Sequence, residues 1–213
     1  MNFSIQEALA RHKIVVGIRG VDETKLLSTI QALYDGGIRL VEITYDQSSS
    51  ARLRDTTKAI DTICQRFGDD LAVGAGTVLT SQEVEQAKAA GAKYILSPNC
   101  DKAVIHKTKE LEMGSVPGAM TPSEVVNAYN FGGDVIKLFP CDCLGLNYIK
   151  ALKAPISHVP LLAMGGVNAQ NLRDYLKLVE GVGVASAIVD KSMIAQGNFE
   201  GITNLTQQFV RQL

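Results

Sequence analysis

The chain has 213 residues, a length that fits one large domain, and we assign residues 1–213 to a single domain. Hydrophobic residues make up 46% and charged residues 20%, which is enough apolar material for a buried core and too little charge for a disordered protein. Lys and Arg (21) nearly balance Asp and Glu (22), giving a net charge of −1 without a long run of one sign. This balance argues against a nucleic-acid partner or a membrane-surface partner.

Location and redox state follow from the apolar runs and the cysteines. No apolar run approaches the roughly 18 residues needed to cross a bilayer, and Met1–Ala10 lacks the layout of a signal peptide, so we expect a cytoplasmic protein. Four cysteines are few for a disulfide scaffold, and only Cys141 and Cys143 form a close pair. The three histidines are scattered, so we predict reduced thiols and no metal site.

Short apolar runs alternate with amphipathic stretches along the whole chain. A first helix is predicted over Ser4–Arg11, where Ser4 and Glu7 fit a capping box. Eight strands are predicted at Ile14–Arg19, Ile38–Thr44, Leu71–Gly76, Lys93–Ser97, Gly114–Val116, Asp134–Leu138, Pro160–Met164 and Val182–Ser186. Eight helices are predicted after them, at Asp22–Tyr34, Ser50–Arg66, Ser81–Ala90, Asp101–Glu112, Thr121–Phe131, Leu146–Leu152, Asn168–Leu178 and Ile202–Gln212.

Most of these strands are nearly continuous apolar runs, which is typical of parallel strands covered by helices. Eight strand–helix units predict a single-domain α/β fold, a (β/α)8 TIM barrel with an N-terminal helix. The alternative is an open doubly wound sheet, but no G-x-G-x-x-G follows the first strand. Because barrel active sites lie at the carboxyl ends of the strands, polar residues at those ends are the candidates for chemistry.

A lysine lies near the end of the sixth predicted strand. Alternation places Val135 and Lys137 on one face of this strand and Ile136 and Leu138 on the other. If the helices cover the second face, Lys137 points into the barrel, where burial lowers the pKa of its ammonium group and yields a nucleophilic amine. The alternative is a lysine whose stem packs while its head reaches solvent.

Glu42 lies in the second predicted strand, and it faces inward if Val41 and Ile43 face the helices. There it could meet Lys137 and move protons for imine formation and carbon–carbon cleavage, or it could be only an ion-pair partner of Lys137 or Arg19. Arg19 closes the first strand and is either a forked ligand for a substrate carboxylate or an exposed loop arginine.

Glycine-rich turns offer backbone N–H groups for an anion. Gly165 and Gly166 follow the seventh strand and Ser186 ends the eighth, the two strands after which barrel phosphate sites often lie. The glycine pair also fits an ordinary tight turn. Thr77, after the third strand, fits either ligand contact or helix capping.

Seven segments, in order along almost the whole chain, carry a family resemblance. They are Gly17-Ile-Arg19, Gly36-Gly-Ile-Arg-Leu-Val-Glu-Ile-Thr44, Val73-Gly-Ala-Gly-Thr-Val-Leu79, Ala90-Gly-Ala-Lys-Tyr-Ile-Leu-Ser-Pro98, Val116-Pro-Gly-Ala-Met-Thr-Pro-Ser-Glu124, Ile136-Lys-Leu-Phe-Pro140 and Met164-Gly-Gly-Val-Asn168. Together they resemble the 2-keto-3-deoxy-6-phosphogluconate / 4-hydroxy-2-oxoglutarate aldolase family, class I pyruvate aldolases on a small (β/α)8 barrel.

The resemblance implies a lyase that cleaves a 2-keto-3-deoxy sugar acid, such as 2-keto-3-deoxy-6-phosphogluconate, to pyruvate and an aldehyde such as glyceraldehyde 3-phosphate. Lys137 would form the Schiff base and Glu42 would be the general acid/base. No metal or organic cofactor is required. The implied partner is a small keto acid, and the family implies a homotrimer.

The same resemblance assigns binding roles to four further residues. Arg19 and Thr77 would hold the carboxylate and the oxygen of bound pyruvate. Pro98 and Phe139 would wall the site against water.

Two positions depart from the family pattern. Asp46 stands four residues after the glutamate, where many members carry a phosphate-binding arginine, and Met164 stands where a small hydroxyl residue is frequent. A carboxylate would repel a phosphate dianion, and Asp46 could instead bind sugar hydroxyls, which favours an unphosphorylated or differently configured keto acid. Gly165, Gly166 and Ser186 remain for a phosphate. The alternatives are therefore an aldolase for 4-hydroxy-2-oxoglutarate or an unphosphorylated acid, and a barrel that binds an acidic metabolite without catalysis.

Overall fold

A computed structural model of the chain describes residues 3–213. Its strands are β1 (Ile14–Ile18), β2 (Leu40–Thr44), β3 (Ala72–Gly76), β4 (Tyr94–Leu96), β5 (Gly114–Val116), β6 (Gly118–Ala119), β7 (Ile136–Leu138), β8 (Leu161–Met164) and β9 (Gly181–Val184). Its helices are α1 (Ile5–His12), α2 (Glu23–Asp35), α3 (Arg52–Phe67), α4 (Ser81–Ala89), α5 (Lys102–Glu110), α6 (Pro122–Asn130), α7 (Gly145–Lys153), α8 (Leu172–Leu176), α9 (Lys191–Ala195) and α10 (Phe199–Val210). In this part of the chain, no helix combines the length and the apolar character that a membrane span requires.

The strands are parallel and are hydrogen-bonded in the order β5-β4-β3-β2-β1-β9-β8-β7-β6. The two ends of this order, β5 and β6, are halves of one barrel strand that is interrupted at Pro117, a residue without an N–H to donate. Gly118 N–H donates to the carbonyl of Asn99 on one side, and Lys137 N–H donates to the carbonyl of Pro117 on the other. The predicted (β/α)8 barrel is confirmed, with its fifth strand divided in two.

The buried apolar side chains form two clusters, one between the strands and the helices and one inside the barrel. Residues at alternate strand positions, such as Val16, Val41 and Ile136, pack between the strands and the helices. The other positions form a smaller cluster inside the barrel, which includes Leu40 and Leu162.

Helix α1 closes the amino end of the barrel. Ile5 and Leu9 of this helix belong to the interior cluster, and Phe3 stacks on the Tyr94 ring with centroids 5.8 Å apart. The Ser4 side chain caps the helix by accepting a hydrogen bond from Glu7 N–H. The other end of the barrel is left open for a site.

The structure corrects several predicted boundaries. The last strand ends at Val184, so Ser186 lies two residues beyond it rather than at its end. Helix α4 begins at Ser81, as predicted, and is capped by Thr80. Helix α8 begins at Leu172 rather than Asn168, because the Asn171 side chain binds Asn168 N–H and the Gly166 carbonyl and so holds a turn there. The short helix α9 is an element that the apolar pattern did not predict.

Candidate active site

A cavity of about 710 Å³ lies at the carboxyl end of the barrel. This volume is in the range of small-ligand sites. Nine of the ten predicted site residues line it: Arg19, Glu42, Thr77, Pro98, Lys137, Phe139, Gly165, Gly166 and Ser186. The structure therefore brings together side chains that are up to 167 positions apart in the sequence.

Lys137 projects from β7 into this cavity. Its neighbours Ile136 and Leu138 pack toward the helices while Val135 belongs to the interior cluster, which confirms the predicted alternation. The side chain is only 6% exposed, and its Nζ lies 4.7 Å from the centre of the Phe139 ring. Burial lowers the pKa of Lys137, and the positive charge of Arg19 adds to this effect although Glu42 opposes it. The neutral amine is thus more accessible than in an ordinary lysine.

Glu42 projects from β2 into the same cavity and is 2% exposed. Burial raises the pKa of its carboxyl group, and the positive charges of Lys137 and Arg19 act in the opposite direction. Among residues 3–213, its Oε2 atom has no hydrogen-bond partner. A buried carboxyl group with a raised pKa and a free oxygen is suited to exchange protons with a ligand.

Two glycines make the space that the Glu42 carboxylate occupies. A Cβ atom at Gly17 would lie 2.9 Å from Glu42 Oε1, and one at Gly76 would overlap Oε2 and lie 2.8 Å from Cδ. Both glycines occur in segments that carried the family resemblance, but only the structure shows that they face Glu42. The sequence signal was a glycine at an inward-facing strand position.

Arg19 and Thr77 meet at the edge of the cavity. Arg19 Nη2 donates a 2.8 Å hydrogen bond to Thr77 Oγ1. The backbone of Thr77 has φ 59°, in the left-handed region that non-glycine residues rarely occupy. A guanidinium group and a hydroxyl group held side by side can bind a carboxylate or a carbonyl oxygen.

Two loops, at residues 165–167 and 186–187, also line the cavity. Gly165 and Gly166 have φ of 108° and 69°, which places their peptide groups in a turn that a side chain would not allow. Within the described range, the N–H groups of Gly166, Val167, Ser186 and Ala187 donate to no protein acceptor. Free backbone N–H groups of residues that line a cavity can bind an anion.

Asp46 is the one predicted site residue that does not line the cavity. Its exposed carboxylate accepts hydrogen bonds from Ser48 N–H and Ser48 Oγ, and it borders a neighbouring cavity between α2 and α3. The Ser48 hydroxyl and then the Ser48 N–H lower the pKa of Asp46. Met164, in contrast, lines the main cavity and packs against Gly183.

The cysteines and histidines all lie within residues 3–213, where the structure does not group them into a site. Cys64, Cys100, Cys141 and Cys143 are all free thiols, and burial raises the pKa of Cys141 to about 11. Over residues 3–213, no group of three or more His, Cys, Asp or Glu side chains could hold a metal ion.

The fold and the cavity define a (β/α)8-barrel enzyme in which one lysine and one carboxylate are buried together. The family model for KDPG and KHG aldolases matches residues 5–205. The chain belongs to the KDPG and KHG aldolase family, as the seven segments predicted, and it is a lyase.

Individual relatives agree with this assignment. The 2-dehydro-3-deoxy-phosphogluconate aldolase of Treponema pallidum is 34% identical over 209 residues, which cover 96% of this chain and 95% of the relative. The 2-dehydro-3-deoxy-6-phosphogalactonate aldolase of Escherichia coli is 31% identical over 164 residues, covering 76% and 77%. The structure of KDPG aldolase from Legionella pneumophila, with pyruvate captured as a covalent carbinolamine, superimposes with a TM-score of 0.85 at 27% identity, covering 95% of this chain and 96% of that one.

Proposed function

We propose that this chain is a class I aldolase that cleaves a phosphorylated 2-keto-3-deoxy sugar acid to pyruvate and an aldehyde. The observation that carries the proposal is the burial of Lys137 beside Glu42 in one cavity, with the pKa of the lysine lowered. A lysine of this kind is the nucleophile that Schiff-base chemistry requires. The Legionella relative supports the proposal because pyruvate is covalently captured in that enzyme.

The reaction begins with attack of the neutral Lys137 amine on the C2 ketone of the substrate. The carbinolamine that forms loses water and becomes a protonated imine, which draws electrons from the C3–C4 bond. Glu42 is placed to exchange the protons of these steps, because its carboxyl group lies in the same cavity with one oxygen free. Arg19 and Thr77 hold the carboxylate and oxygen of the pyruvate part.

Cleavage and product release use the same two groups. Glu42 accepts the proton of the C4 hydroxyl group while the C3–C4 bond breaks, so that the aldehyde leaves and an enamine remains on Lys137. Protonation of the enamine at C3 followed by hydrolysis releases pyruvate and the free amine. Pro98 and Phe139 border the cavity and limit the access of water to the intermediates.

Backbone groups of the cavity favour a phosphorylated substrate. The free N–H groups of Gly166 and Ser186 belong to residues that line the same cavity as Lys137, and the relatives in Treponema and Escherichia are named for phosphorylated sugar acids. The carboxylate of Asp46 is engaged by Ser48 and borders another cavity, which weakens the argument that it repels a phosphate. The chain is further proposed to be a cytoplasmic homotrimer.

A second candidate is cleavage of 4-hydroxy-2-oxoglutarate or an unphosphorylated 2-keto-3-deoxy acid. The observation that favours it is Met164, an apolar side chain in the cavity wall at a position where the family often has a hydroxyl group. Met164 offers no hydrogen bond to an anion.

Pyruvate release from four acids tests these proposals: the 6-phosphates of 2-keto-3-deoxygluconate and 2-keto-3-deoxygalactonate, unphosphorylated 2-keto-3-deoxygluconate, and 4-hydroxy-2-oxoglutarate. We expect kcat/KM to be highest for a phosphorylated acid. A higher value for either unphosphorylated acid would favour the second candidate. No pyruvate from any of them would favour a barrel that binds an acidic metabolite without catalysis.

A further inference from the structure

We propose that Gln47, held by the buried carboxylate of Glu83, is a positioning residue for the part of the site that binds the keto-acid carboxylate. The inference rests on the proposed function, because it gives Gln47 a role in orienting Thr77 toward bound pyruvate. Neither Gln47 nor Glu83 lines the cavity.

The Glu83 carboxylate is the fixed point of this arrangement. Its side chain is 0% exposed and accepts hydrogen bonds from Leu79 N–H (2.7 Å), Thr80 N–H (3.2 Å), Gln47 Nε2 (2.9 Å) and Arg52 Nε (3.0 Å). Burial works to raise the pKa of Glu83, but these hydrogen bonds outweigh it and hold the pKa below its ordinary value. Glu83 is therefore an ionised, fully bonded group that holds its donors in one geometry.

Gln47 connects this fixed point to the active site. It lies in the loop between β2 and α3, and its Nε2 also donates to the carbonyl of Thr77 at 2.8 Å. Thr77 has the left-handed backbone described above, which a non-glycine residue keeps only where its neighbours hold it. The hydrogen bond from Gln47 fixes the peptide group that follows Thr77, and so fixes the direction in which the Thr77 hydroxyl faces Arg19.

Thr80 and Glu83 form a capping box at the start of α4, and Thr121 and Glu124 form another at the start of α6. Comparing the two shows what Glu83 does in addition to capping its helix. Glu124 accepts hydrogen bonds from Met120 N–H and Thr121 N–H at the start of α6, just as Glu83 accepts those of Leu79 and Thr80 at the start of α4. Glu124 is exposed and accepts no side-chain donor from another loop within the described residues. The hydrogen bond from Gln47, in the loop between β2 and α3, therefore distinguishes the Glu83 capping box from that of Glu124.

The test measures trapping of a pyruvate adduct by borohydride, as a function of pyruvate concentration, by intact mass. Gln47→Met keeps the volume of the side chain and removes its two hydrogen bonds. We expect the half-saturating pyruvate concentration to rise about five- to tenfold, the factor that one hydrogen bond supplies. The trapping rate at saturation should stay within about twofold, because Lys137 and Glu42 are unchanged. Gln65→Met is the matched control, since among residues 3–213 the exposed Gln65 side chain hydrogen-bonds only to Asp61 of the same helix.

Two further comparisons separate positioning from general stability. On a Thr77→Ala background, Gln47→Met should no longer shift the half-saturating concentration, because the hydroxyl group that it orients is gone. Glu83→Gln should raise the half-saturating pyruvate concentration, because it weakens the group that holds Gln47. Glu124→Gln should leave that concentration unchanged. If Gln47→Met is not recovered folded, Gln47→Asn replaces it with the same expectation.

The outcomes distinguish the inference from the proposed function. Wild-type protein that forms no adduct overturns the proposed function and the inference with it. Wild-type protein that forms the adduct, with an unchanged half-saturating concentration in Gln47→Met, overturns the inference alone. So does a shift of the same size on the Thr77→Ala background.

Discussion

Adding one methyl group beside Glu42 should slow catalysis by an amount that depends on which glycine is changed. At Gly17 a Cβ atom would lie 2.9 Å from Glu42 Oε1, so the carboxylate must retreat by about 0.5 Å to reach ordinary contact at 3.4 Å. At Gly76 the methyl group would overlap Oε2, which requires a displacement of about 1 Å or a different rotamer. Neither glycine has a positive φ, so alanine adds no backbone strain at either position.

A displacement of about 1 Å in a catalytic group costs on the order of 100-fold in rate, and half that displacement costs about tenfold if the effect is log-linear. We therefore expect kcat for pyruvate release to fall about tenfold in Gly17→Ala and at least about 100-fold in Gly76→Ala. Borohydride trapping on Lys137 should persist in both variants. Wild-type kcat in Gly76→Ala, or a larger loss in Gly17→Ala, would refute the argument that these glycines seat the Glu42 carboxylate.

Three other predictions concern the buried charges and Asp46. The double variant Lys137→Met/Glu42→Gln should be inactive. Its free energy of unfolding, measured in urea, should be higher by about 1–4 kcal/mol, because neutral side chains of similar size replace two buried ionisable groups. A lower free energy of unfolding would contradict this. Folding lowers the pKa of Lys137 below its ordinary value of 10.5. Between the native and the ordinary pKa, the native state therefore binds fewer protons than the unfolded chain. In that range the free energy of unfolding rises with pH, and the rise ends near pH 10.5. Urea titrations of Lys137→Met should lack this rise, and an unchanged pH profile would count against the lowered pKa. Asp46→Arg should leave the ratio of kcat/KM for the 6-phosphate over its unphosphorylated analogue within about twofold, because position 46 borders a neighbouring cavity rather than the one that holds Lys137. A rise of about tenfold would place position 46 at the distal end of the substrate.

The strand positions and inward-facing residues of the barrel could be predicted because they depend on local alternation. Lys137 and Glu42 each interrupt an apolar strand, and the period of two alone places them on the interior face. The sequence predicts one fifth strand, Gly114–Val116, whereas the structure continues it as β6 after Pro117. The apolar run is short, and a proline in it does not indicate whether the strand ends or resumes beyond that residue. The predicted start of α8 is wrong because Asn168 is a residue type that caps helices, whereas here its Oδ1 accepts hydrogen bonds from Gln170 N–H and Asn171 N–H in a turn that precedes the helix.

The supporting residues of the site could not be predicted because their contacts are not local. Gln47 lies 30 positions from Thr77 and 36 from Glu83, and no periodicity in the sequence joins these positions. Asp46, in contrast, is a residue that the sequence assigned to the site and the structure places outside it. Its offset from Glu42 suggested a place in the site, but a hydrogen bond to Ser48, two residues away, turns its carboxylate toward a neighbouring cavity.

The measurement that tests the central claim most directly is the reduction of wild-type protein with borohydride in the presence of pyruvate, followed by intact mass and peptide mapping. The account predicts one adduct per chain, located on Lys137 and absent from Lys137→Met. No adduct, or an adduct on another lysine, would contradict the assignment of Lys137 as the Schiff-base nucleophile.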